Sequence, residues 1–488
     1  MDIIQQVDRW ARVAPQAVAH VSGQRQLTYG ELRERSDALA AHLAQRLKND
    51  FSPIAVLGHR EPEMLIAFLG VVKSGRPYLP LDPLLPRRRL HRILNTARVQ
   101  LVLTPAETAA FSGSRAELPL KALRNDDPFY ILFTSGSTGE PKGVIITAGC
   151  LHHFLTWMLM EQQFIESGEI FLNQAPFSFD LSVMDLYCSL ATGGTLFSIG
   201  RDLVANPKQL YLALSNSGLT TWVSTPSFAQ LCLAERKFGQ DMLPRLRRFL
   251  FCGETLARET AERLRQRFPT AQIWNTYGPT EATVACTSVQ ITDAILENYS
   301  ALPVGRPMPG TAIFVTGEGD HARPVPLGTP GEIIIAGPNV SPGYLARPDL
   351  TARAFSEDNG QRAYCTGDRG RFSDGLLFFE GRMDHQIKFN GYRIELGDIE
   401  GNLRAISGIH DAIVLPVTKQ GRTTSLAAFV VSDNGAECES ASKRVDDLRQ
   451  ALGERLPAYM IPRRFIFLEA FPMTPNGKAD RSRLTALL

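Results

Sequence analysis

Short apolar runs, each followed by glycine, proline or serine, recur along the first part of the chain. They lie at 54–58, 130–133, 195–200, 248–254 and 272–278. Between the last two, positions 256, 260, 264 and 268 carry Leu, Thr, Leu and Phe at helical spacing. A strand, loop, helix and strand in repetition is typical of a parallel α/β sheet with functional residues at the strand ends.

An N-terminal helix is marked by its own start signal. Thr28 and Glu31 have the spacing of a capping box, in which each side chain accepts a hydrogen bond from the backbone of the other. Leucines then follow at helical intervals, at 32, 39, 43 and 47. We therefore predict an amphipathic helix that begins at about residue 28.

The pattern changes in the last third of the chain. The segments EIIIAG, GLLFFEG and QIKFNGYRIEL alternate or turn at glycines, which predicts antiparallel β structure. Beyond residue 384, helices near 398–406 and 445–456 and the strands AIVLPV and LAAFVV suffice for a small α+β domain. We expect an α/β protein with two domains. Residues 1–383 would form a large domain of parallel α/β sheets plus a β-rich subdomain, and 384–488 a small mobile α+β domain.

Composition narrows the class of protein. The chain has 488 residues, of which 44% are hydrophobic and 21% are charged, as in a globular protein with a sizeable core. Its 52 basic and 50 acidic residues give a net charge of only +2. Because binding to a nucleic-acid backbone needs a clustered basic excess, we predict no nucleic-acid partner. The densest basic patch, at 86–89, is more typical of a solvated helix start.

The cysteines and the N-terminus indicate a compartment. Seven cysteines are scattered without a CxxC pair, which argues against a zinc site or a disulfide framework and favours a reducing environment. The N-terminus lacks a secretion signal, and no apolar run approaches the ~18 residues of a membrane span. We therefore predict a cytoplasmic protein without membrane insertion.

The segment FTSGSTGEPKG, at 133–143, directly follows the apolar run YILF. A strand that leads into glycine-rich and hydroxyl-rich backbone is a common way to bind phosphate oxygens. A Walker A loop is excluded, because Pro141 stands where its second glycine would be and Gly143 follows Lys142. Local sequence leaves two interpretations open: another kind of nucleotide loop, or a flexible linker.

Five motifs taken together favour a nucleotide loop over a flexible linker at 133–143. They occur in the order FTSGSTGEPKG, NTYGPTEA (275–282), YCTGD (364–368), GRMDHQIKFNGYRIE (381–395) and PNGK (475–478). The set resembles the core motifs of the adenylate-forming superfamily of acyl-CoA synthetases, luciferases and peptide-synthetase adenylation domains. The resemblance covers essentially the whole chain. It implies an ATP-dependent ligase in which a carboxylate attacks the α-phosphorus of ATP, and a thiol then takes the acyl group and releases AMP.

The resemblance also implies roles for single residues in binding ATP. The triphosphate would be held by Thr134, Ser135, Ser137, Thr138 and Lys142. The rest of the nucleotide would contact Gly253, Glu254, Asn275, Thr276, Tyr277, Gly278, Pro279 and Thr280. Asp368 would accept both ribose hydroxyls, and Glu281 would bind Mg²⁺, which prefers carboxylate oxygen beside phosphate.

The resemblance further implies that Lys478, Arg382 and Thr280 are catalytic residues. They would contact the α-phosphate and the attacking carboxylate. Asp384 matches the hinge of the mobile domain, since one pocket cannot hold Lys478 over the phosphates and also admit a thiol. Considered alone, Arg382 and Asp384 could instead be surface residues, and Lys478 could lie in a disordered tail. Asn275 and Tyr277 could likewise merely cap a turn. Cys365 departs from the pattern, because relatives often carry Lys or Arg there, and it puts one peripheral contact in doubt.

The segment APFSFDLSVMDLY, at 175–187, bears on the acid that is activated. Asp180 matches the aspartate that pairs with the substrate's α-ammonium in amino-acid-activating relatives. A fatty or aryl acid would leave this carboxylate unpaired, at a cost of several kcal/mol. The alternative is that Asp180 caps the helix that follows it.

With STPSF and FLFCGE, this segment looks closest to the D-alanine:D-alanyl carrier protein ligases. That resemblance implies D-alanine as substrate, in a pocket lined by Leu181, Met184, Cys252 and Val284. Cys252 would help to choose D- over L-alanine, although it could be merely a small buried hydrophobe. We expect a separate phosphopantetheinylated carrier protein as the thiol partner. The alternatives are a free-standing peptide-synthetase domain for another small amino acid and a silent nucleotide- or carrier-binding scaffold.

Overall fold

A computed structural model describes residues 2–111, 123–136, 140–317, 320–389, 391–419, 422–432, 441–473 and 479–488. The chain divides into two compact units. The first consists of Met1–Pro83, Ala97–Leu132 and Gly143–Met383, and the second of Leu84–Thr96, Phe133–Lys142 and Asp384–Leu488. Across the described ranges, no helix is both long enough and apolar enough to span a bilayer.

The helices of the described residues are α1 (Ile3–Val13), α2 (Tyr29–Leu47), α3 (Pro62–Lys73), α4 (Arg87–Thr96), α5 (Pro105–Ala109), α6 (Ala148–Gln162), α7 (Leu181–Thr192), α8 (Arg201–Ala205), α9 (Pro207–Asn216), α10 (Pro226–Cys232), α11 (Arg258–Arg267), α12 (Asp293–Asn298), α13 (Pro348–Ala354), α14 (Leu396–Arg404), α15 (Ala441–Gly453) and α16 (Arg481–Thr485). Short 3-10 helices span Thr280–Ala282 and Ala458–Met460.

The strands are β1 (Val18–Ser22), β2 (Arg25–Thr28), β3 (Ile54–Leu57), β4 (Tyr78–Leu81), β5 (Val102–Leu103), β6 (Pro128–Thr134), β7 (Lys142–Thr147), β8 (Ile170–Asn173), β9 (Thr195–Ser198), β10 (Thr221–Ser224), β11 (Arg248–Phe251), β12 (Gln272–Tyr277), β13 (Thr287–Gln290), β14 (Arg306–Pro307), β15 (Ala312–Gly317), β16 (Asp320–Pro324), β17 (Gly331–Ala336), β18 (Phe355–Asp358), β19 (Gln361–Ser373), β20 (Leu376–Arg382), β21 (Gln386–Phe389), β22 (Tyr392–Glu395), β23 (Ile409–Lys419), β24 (Arg422–Ser432) and β25 (Arg464–Leu468).

Two of the sheets in the first unit are largely parallel. A nine-stranded sheet has the order β14-β13-β12-β11-β10-β8-β9-β1-β2, and its strands from β12 to β1 run parallel. A five-stranded sheet has the order β5-β3-β4-β6-β7, with parallel pairs around β3 and β4. Strands β15 to β20 form a separate antiparallel sheet.

Helices α3 and α7 belong to the core that the two parallel sheets share. All twelve residues of each helix are buried. A helix that is buried on every side needs a mostly apolar circumference, and both sequences are mostly apolar. Their polar side chains need hydrogen-bond partners, as Asp185 of α7 has in Asn173. The same hydrophobic cluster contains Ile54 and Leu132 from one sheet and Phe171 and Leu196 from the other. The first unit therefore has one continuous core across these two sheets.

The second unit is smaller. Strands β23, β24 and β25 form a three-stranded sheet, and β21 and β22 form a hairpin. Arg89, in the basic patch at 86–89, is buried and pairs with Asp398 at 3.0 Å within this unit. The prediction of a solvated helix start is therefore wrong for this arginine. Burial raises the pKa of Asp398, and the Arg89 guanidinium offsets part of that rise.

The predicted fold class is confirmed: the structure is a mixed α/β protein with parallel sheets, a β-rich sheet and a separate small unit. The predicted capping box is confirmed at the start of α2, where the side chains of Thr28 and Glu31 each accept a hydrogen bond from the other's backbone. The domain boundary between 383 and 384 stays a prediction.

Gly193 ends α7 with a left-handed φ of +69°, and a Cβ there would lie 2.5 Å from Cδ2 of Trp10. Gly375 has a similar φ of +72°, but no described heavy atom lies within 4 Å of its Cβ position. We expect Gly375→Ala to lower the free energy of unfolding by about 1 kcal/mol, the cost of a left-handed L-residue. Gly193→Ala should lower the free energy of unfolding by about 3 kcal/mol, because the Trp10 ring must also move to admit the Cβ. Urea unfolding measures both changes in free energy. Equal losses of stability in the two variants would contradict the close approach of residue 193 to Trp10.

Candidate active site

Candidate site residues gather at one edge of the nine-stranded sheet. Cys252 directly follows β11, Tyr277 ends β12, and Asp180 lies in the segment that follows β8. These strands are parallel and close to one another in the sheet order. The carboxyl ends of parallel strands lie at the same edge, which is where open α/β sheets bind ligands.

Asp180 is held by a hydroxyl from a distant part of the chain. Its Oδ2 accepts a hydrogen bond of 2.6 Å from Oγ1 of Thr280, one hundred residues later. Asp180 occupies the N-cap position of α7, but its φ is helical and its side chain makes no capping hydrogen bond. The alternative that Asp180 serves as a helix cap is therefore wrong.

Thr280 belongs to a loop that connects the antiparallel strands β12 and β13. The loop begins at Gly278, where a Cβ would lie 2.6 Å from Cα of Ala285. Only glycine permits this close approach of backbone to backbone. The loop then contains two consecutive β-branched residues with positive φ, Thr283 at +59° and Val284 at +67°. Such residues rarely adopt this conformation, and the surrounding structure must hold them there.

Asn339 holds this strained loop from within the first unit. Its side-chain nitrogen donates to the carbonyl of Ala282 at 3.0 Å, and its backbone carbonyl accepts a hydrogen bond of 2.7 Å from the hydroxyl of Thr283. Asn339 is fully buried. The loop geometry is therefore fixed by contacts that no local sequence signal indicates.

The predicted pocket residues share one apolar environment. All four are buried and belong to the same hydrophobic cluster, which contains Leu181, Met184, Cys252 and Val284. The Sγ of Cys252 lies 3.5 Å from the carbonyl oxygen of Val284, which joins the end of β11 to the strained loop. The structure thus brings together pocket residues from three separate segments.

Glu281 is fully buried beside Thr280. Its Oε1 accepts a hydrogen bond of 2.8 Å from the hydroxyl of Tyr344, and its carbonyl accepts one from the backbone of Ser341. A buried carboxylate is costly unless it is hydrogen-bonded or paired with a cation. Among the described residues, no group of three or more His, Cys, Asp or Glu forms a ready-made metal site.

Asp368 is held by two donors. Its Oδ2 accepts a hydrogen bond of 2.6 Å from the hydroxyl of Tyr277, and its Oδ1 accepts one of 2.5 Å from Nη1 of Arg382. Burial and the adjacent Asp368 carboxylate raise the pKa of Tyr277 well above its usual range, so this hydroxyl stays protonated and donates. Each carboxylate oxygen has two acceptor sites, so these contacts leave capacity for further donors.

The remaining predicted nucleotide residues of the first unit make local contacts. The side chain of Asn275 donates to the carbonyl of Pro303 at 2.7 Å, and that of Thr276 donates to the carbonyl of Phe251 at 2.9 Å. Glu254 follows Gly253 and accepts a hydrogen bond from the backbone of Ser227. The carbonyl of Pro279 accepts from the backbone of Ala282 at 2.9 Å. Together these contacts fix the ends of β11 and β12.

Other predicted residues belong to the second unit. The hydroxyl of Ser135 accepts from the backbone of Glu395 and donates to the carbonyl of Arg393. Asp384 accepts a hydrogen bond from the backbone of Gln386, and Lys142 begins β7. Thr134 ends β6. The remaining predicted residues, Ser137, Thr138 and Lys478, lie outside the described residues.

The prediction missed two residues that hold acidic or strained groups, Tyr344 and Asn339. Tyr344 lies 63 residues from Glu281 along the chain, and neither Tyr344 nor Asn339 falls in a motif that we singled out. Cys365, the departure from the motif, lies in β19 opposite Ile334 and is partly exposed. Burial raises the pKa of this thiol to about 11, so it is largely protonated at neutral pH.

Comparison with known proteins agrees with these observations. The AMP-binding enzyme model matches residues 7–345, and the model of the AMP-binding enzyme C-terminal domain matches residues 398–478. A D-alanine–D-alanyl carrier protein ligase of Bacillus anthracis is 45% identical over 501 residues, which covers 99% of each chain.

Two solved structures have a similar fold. The adenylation domain AlmE of Vibrio cholerae, solved with glycyl-adenosine-5'-phosphate, has a TM-score of 0.86 at 22% identity and covers 100% of this chain and 96% of its own. NpsA-ThdA, an artificially fused adenylation-PCP di-domain from Klebsiella oxytoca, has a TM-score of 0.81 at 26% identity, with 95% and 93% coverage. From the family match and the full-length similarity, the chain belongs to the AMP-binding enzyme family, the adenylate-forming superfamily of ligases.

Proposed function

We propose that this chain activates D-alanine with ATP to give D-alanyl-AMP and pyrophosphate, and then transfers the D-alanyl group to the phosphopantetheine thiol of a separate carrier protein. The product would serve D-alanylation of a cell-envelope polymer such as teichoic acid. The Bacillus relative, similar over its full length, carries the name of this activity. The structural observation that carries the proposal is the hydrogen bond between Thr280 and Asp180.

This hydrogen bond supports an amino-acid substrate for an electrostatic reason. Asp180 is half-buried, and the Thr280 hydroxyl engages one of its two oxygens. A carboxylate fixed in this way can bind the α-ammonium of an amino acid as a charge-assisted hydrogen-bond acceptor. A fatty acid would offer no such cation, and the carboxylate would lose hydration without compensation. Thr280 would then hold Asp180 while its own segment contacts the α-phosphate.

The apolar cluster supports a small side chain. Leu181, Met184, Cys252 and Val284 are all buried, so the pocket they line would accept a methyl group better than a polar side chain. One methyl group contributes only ~1 to 3 kcal/mol to selectivity, so glycine should also be activated weakly. Rejection of L-alanine must rest on a clash or on a misplaced carboxylate.

The ribose of the nucleotide would bind at a second buried acidic residue, Asp368. We propose that Asp368, oriented by Tyr277 and Arg382, accepts the two ribose hydroxyls with its remaining acceptor sites. Arg382 would in this way position Asp368 as well as place positive charge near the α-phosphate. The segment from Asn275 to Thr280 would line the adenine and the α-phosphate.

Glu281 fits a magnesium ion that accompanies ATP. It offers a hard carboxylate oxygen, and the Tyr344 hydroxyl orients the group without removing its charge. Mg²⁺ usually takes one or two protein carboxylates and otherwise phosphate and water oxygens, which agrees with a single acidic residue here. When bound, the ion would neutralise phosphate charge as pyrophosphate leaves.

The second unit would supply the phosphate loop and the moving parts. We propose that Thr134, Ser135, Ser137, Thr138 and Lys142 hold the β- and γ-phosphates. Residues 384–488 would form a domain that swings at Asp384, bringing Lys478 to the reacting carboxylate in the first half-reaction and withdrawing it in the second. Because the reaction consumes ATP, we place it in the cytoplasm.

Amino-acid-dependent exchange of pyrophosphate into ATP tests the substrate directly. We expect D-alanine to give the highest kcat/KM, glycine about tenfold to hundredfold less, in line with one methyl group, and L-alanine and D-serine less than D-alanine. Lys478→Ala, which removes the proposed catalytic lysine, should reduce exchange with every substrate. A higher kcat/KM for any of the other three amino acids would overturn the choice of D-alanine, and no exchange with any amino acid would favour a silent scaffold.

Tyr277→Phe tests the proposed ribose site. The substitution removes the hydrogen bond to Asp368 and keeps the ring that packs on Phe379. We expect the KM for ATP to rise about tenfold to hundredfold, as loss of a hydrogen bond to a charged group predicts, with the KM for D-alanine unchanged. Tyr299→Phe is the matched control, because it removes a hydroxyl bound to Asp374 at the surface. An unchanged KM for ATP in Tyr277→Phe would contradict the proposal that Asp368 binds the nucleotide.

A further inference from the structure

The segment that carries Asp180 has an irregular backbone. Residues 174–180 connect the end of β8 to the start of α7 through bends and turns. Its last carbonyls are bound locally: those of Pro176, Phe179 and Asp180 accept hydrogen bonds from the turn and from the first turn of α7. Among the described residues, the hydrogen bonds to its first two carbonyls, those of Gln174 and Ala175, come from side chains and not from the backbone of the turn. Since buried backbone carbonyls must be hydrogen-bonded, other groups have to hold the beginning of the segment.

Arg60 is the first of these groups. It lies between β3 and α3 and is 5% exposed. Its Nη1 donates to the carbonyl of Asn173 at 2.6 Å and to Oδ1 of Asn173 at 2.9 Å, and its Nη2 donates to the carbonyl of Gln174. Strand β3 belongs to the five-stranded sheet and Asn173 to the nine-stranded sheet. Arg60 therefore joins the two parallel sheets of the first unit at the start of the Asp180 segment.

Asn173 is the second group, and its side chain uses every hydrogen bond that an amide can make. Its Nδ2 donates to the carbonyl of Ala175 at 3.2 Å and to Oδ1 of Asp185 at 3.0 Å. Its Oδ1 accepts from Arg60 and, at 2.8 Å, from the hydroxyl of Ser198. Two donors and two acceptor sites are the full capacity of the side chain. Asn173 is also fully buried, so its orientation is fixed.

Buried partners complete this network. Nε2 of His20 lies 2.8 Å from Oγ of Ser198, and because that hydroxyl donates to Asn173, the histidine is the donor. Burial lowers the pKa of His20 to about 3, so the ring is neutral. Burial raises the pKa of Asp185 well above its usual range, and the Asn173 hydrogen bond and the Arg60 charge offset part of that rise. The hydrogen bonds of the Arg60 guanidinium given above go to carbonyl and amide oxygens of residues 173 and 174.

We propose that Arg60, Asn173 and Ser198 act together as a positioning device for Asp180. They fix the carbonyls of residues 173–175, and the short segment beyond transmits this to the carboxylate that binds the substrate's ammonium group. None of the three is among the residues proposed to bind the amino acid or the nucleotide, so we assign them as positioning residues. The inference rests on the proposed role of Asp180 in amino-acid binding, and it predicts that this network controls the KM for the amino acid independently of the KM for ATP.

The test compares three variants of the full chain. Arg60→Lys keeps the charge but loses the forked donors, and Ser198→Ala removes one buried hydroxyl. Thr221→Val is the matched control, because it removes a buried hydroxyl that donates to Glu169 at 3.1 Å at the start of β10, in the same sheet. The measured quantities are the KM for ATP, the KM for the amino acid that the wild type activates best, and the melting temperature.

We expect the amino-acid KM to rise about tenfold or more in Arg60→Lys and about threefold to tenfold in Ser198→Ala, the ranges for losing charged and neutral hydrogen bonds. The KM for ATP should stay within about twofold in both, and neither KM should change more than that in Thr221→Val. If Arg60→Lys does not fold, Ser198→Ala decides the question. Equal increases in both KM values, or no increase in the amino-acid KM, would overturn the proposal.

A second measurement separates positioning from general destabilisation. In an Asp180→Asn background, adding Ser198→Ala should raise the amino-acid KM less than about twofold further, because both changes act on one interaction and are not additive. A full additional increase would contradict the mechanism. Failure of the D-alanine assignment would appear in the wild type alone, as preference for another amino acid, and would leave this comparison intact.

Discussion

The hydrogen bond from Thr280 to the half-buried carboxylate of Asp180 is the interaction on which the proposed site depends. The Asp180 side chain accepts a hydrogen bond of 2.6 Å from Thr280, which ties the start of α7 to the loop after β12. A carboxylate in such surroundings is stable only when donors and a cation replace its lost hydration. The Thr280 hydroxyl is a donor from the protein, and the proposed amino acid would supply the cation. The same contact thus links the proposed amino-acid pocket to the segment that would meet the α-phosphate.

The other acidic residues of the site follow the same pattern. Glu281 accepts a hydrogen bond from Tyr344, and Asp368 accepts one from Tyr277, each within 2.8 Å. Three carboxylates are therefore each oriented by one hydroxyl, and each would meet a different part of the reaction: ammonium, metal and ribose. Fixed groups need little reorganisation when charge moves during a reaction. Such preorganisation suits an enzyme whose own residues form no covalent bond to the substrate in adenylate formation.

The sequence predicts the parts of this protein that depend on local pattern. The helix that starts at Thr28 with Glu31 three residues on, the apolar strands and the hairpin-rich later segments all follow from periodicity and capping. The contacts that hold the site do not. Arg60 and Asn173 are 113 residues apart and join two sheets, so no spacing along the chain indicates that they meet. Residues that bind substrates belong to motifs, whereas residues that position them can be found only once the strands are assembled.

A double-mutant cycle tests the central pairing most directly. The two ligands are non-reactive D-alanyl-adenylate and propionyl-adenylate analogues, which differ by the ammonium group, and the two proteins are the wild type and Asp180→Asn. Titration calorimetry gives four binding free energies and one coupling energy. The account predicts a coupling of about 2 kcal/mol or more, so that the ammonium contributes about thirtyfold in affinity only when Asp180 is present. A coupling near zero would show that Asp180 does not bind the ammonium group.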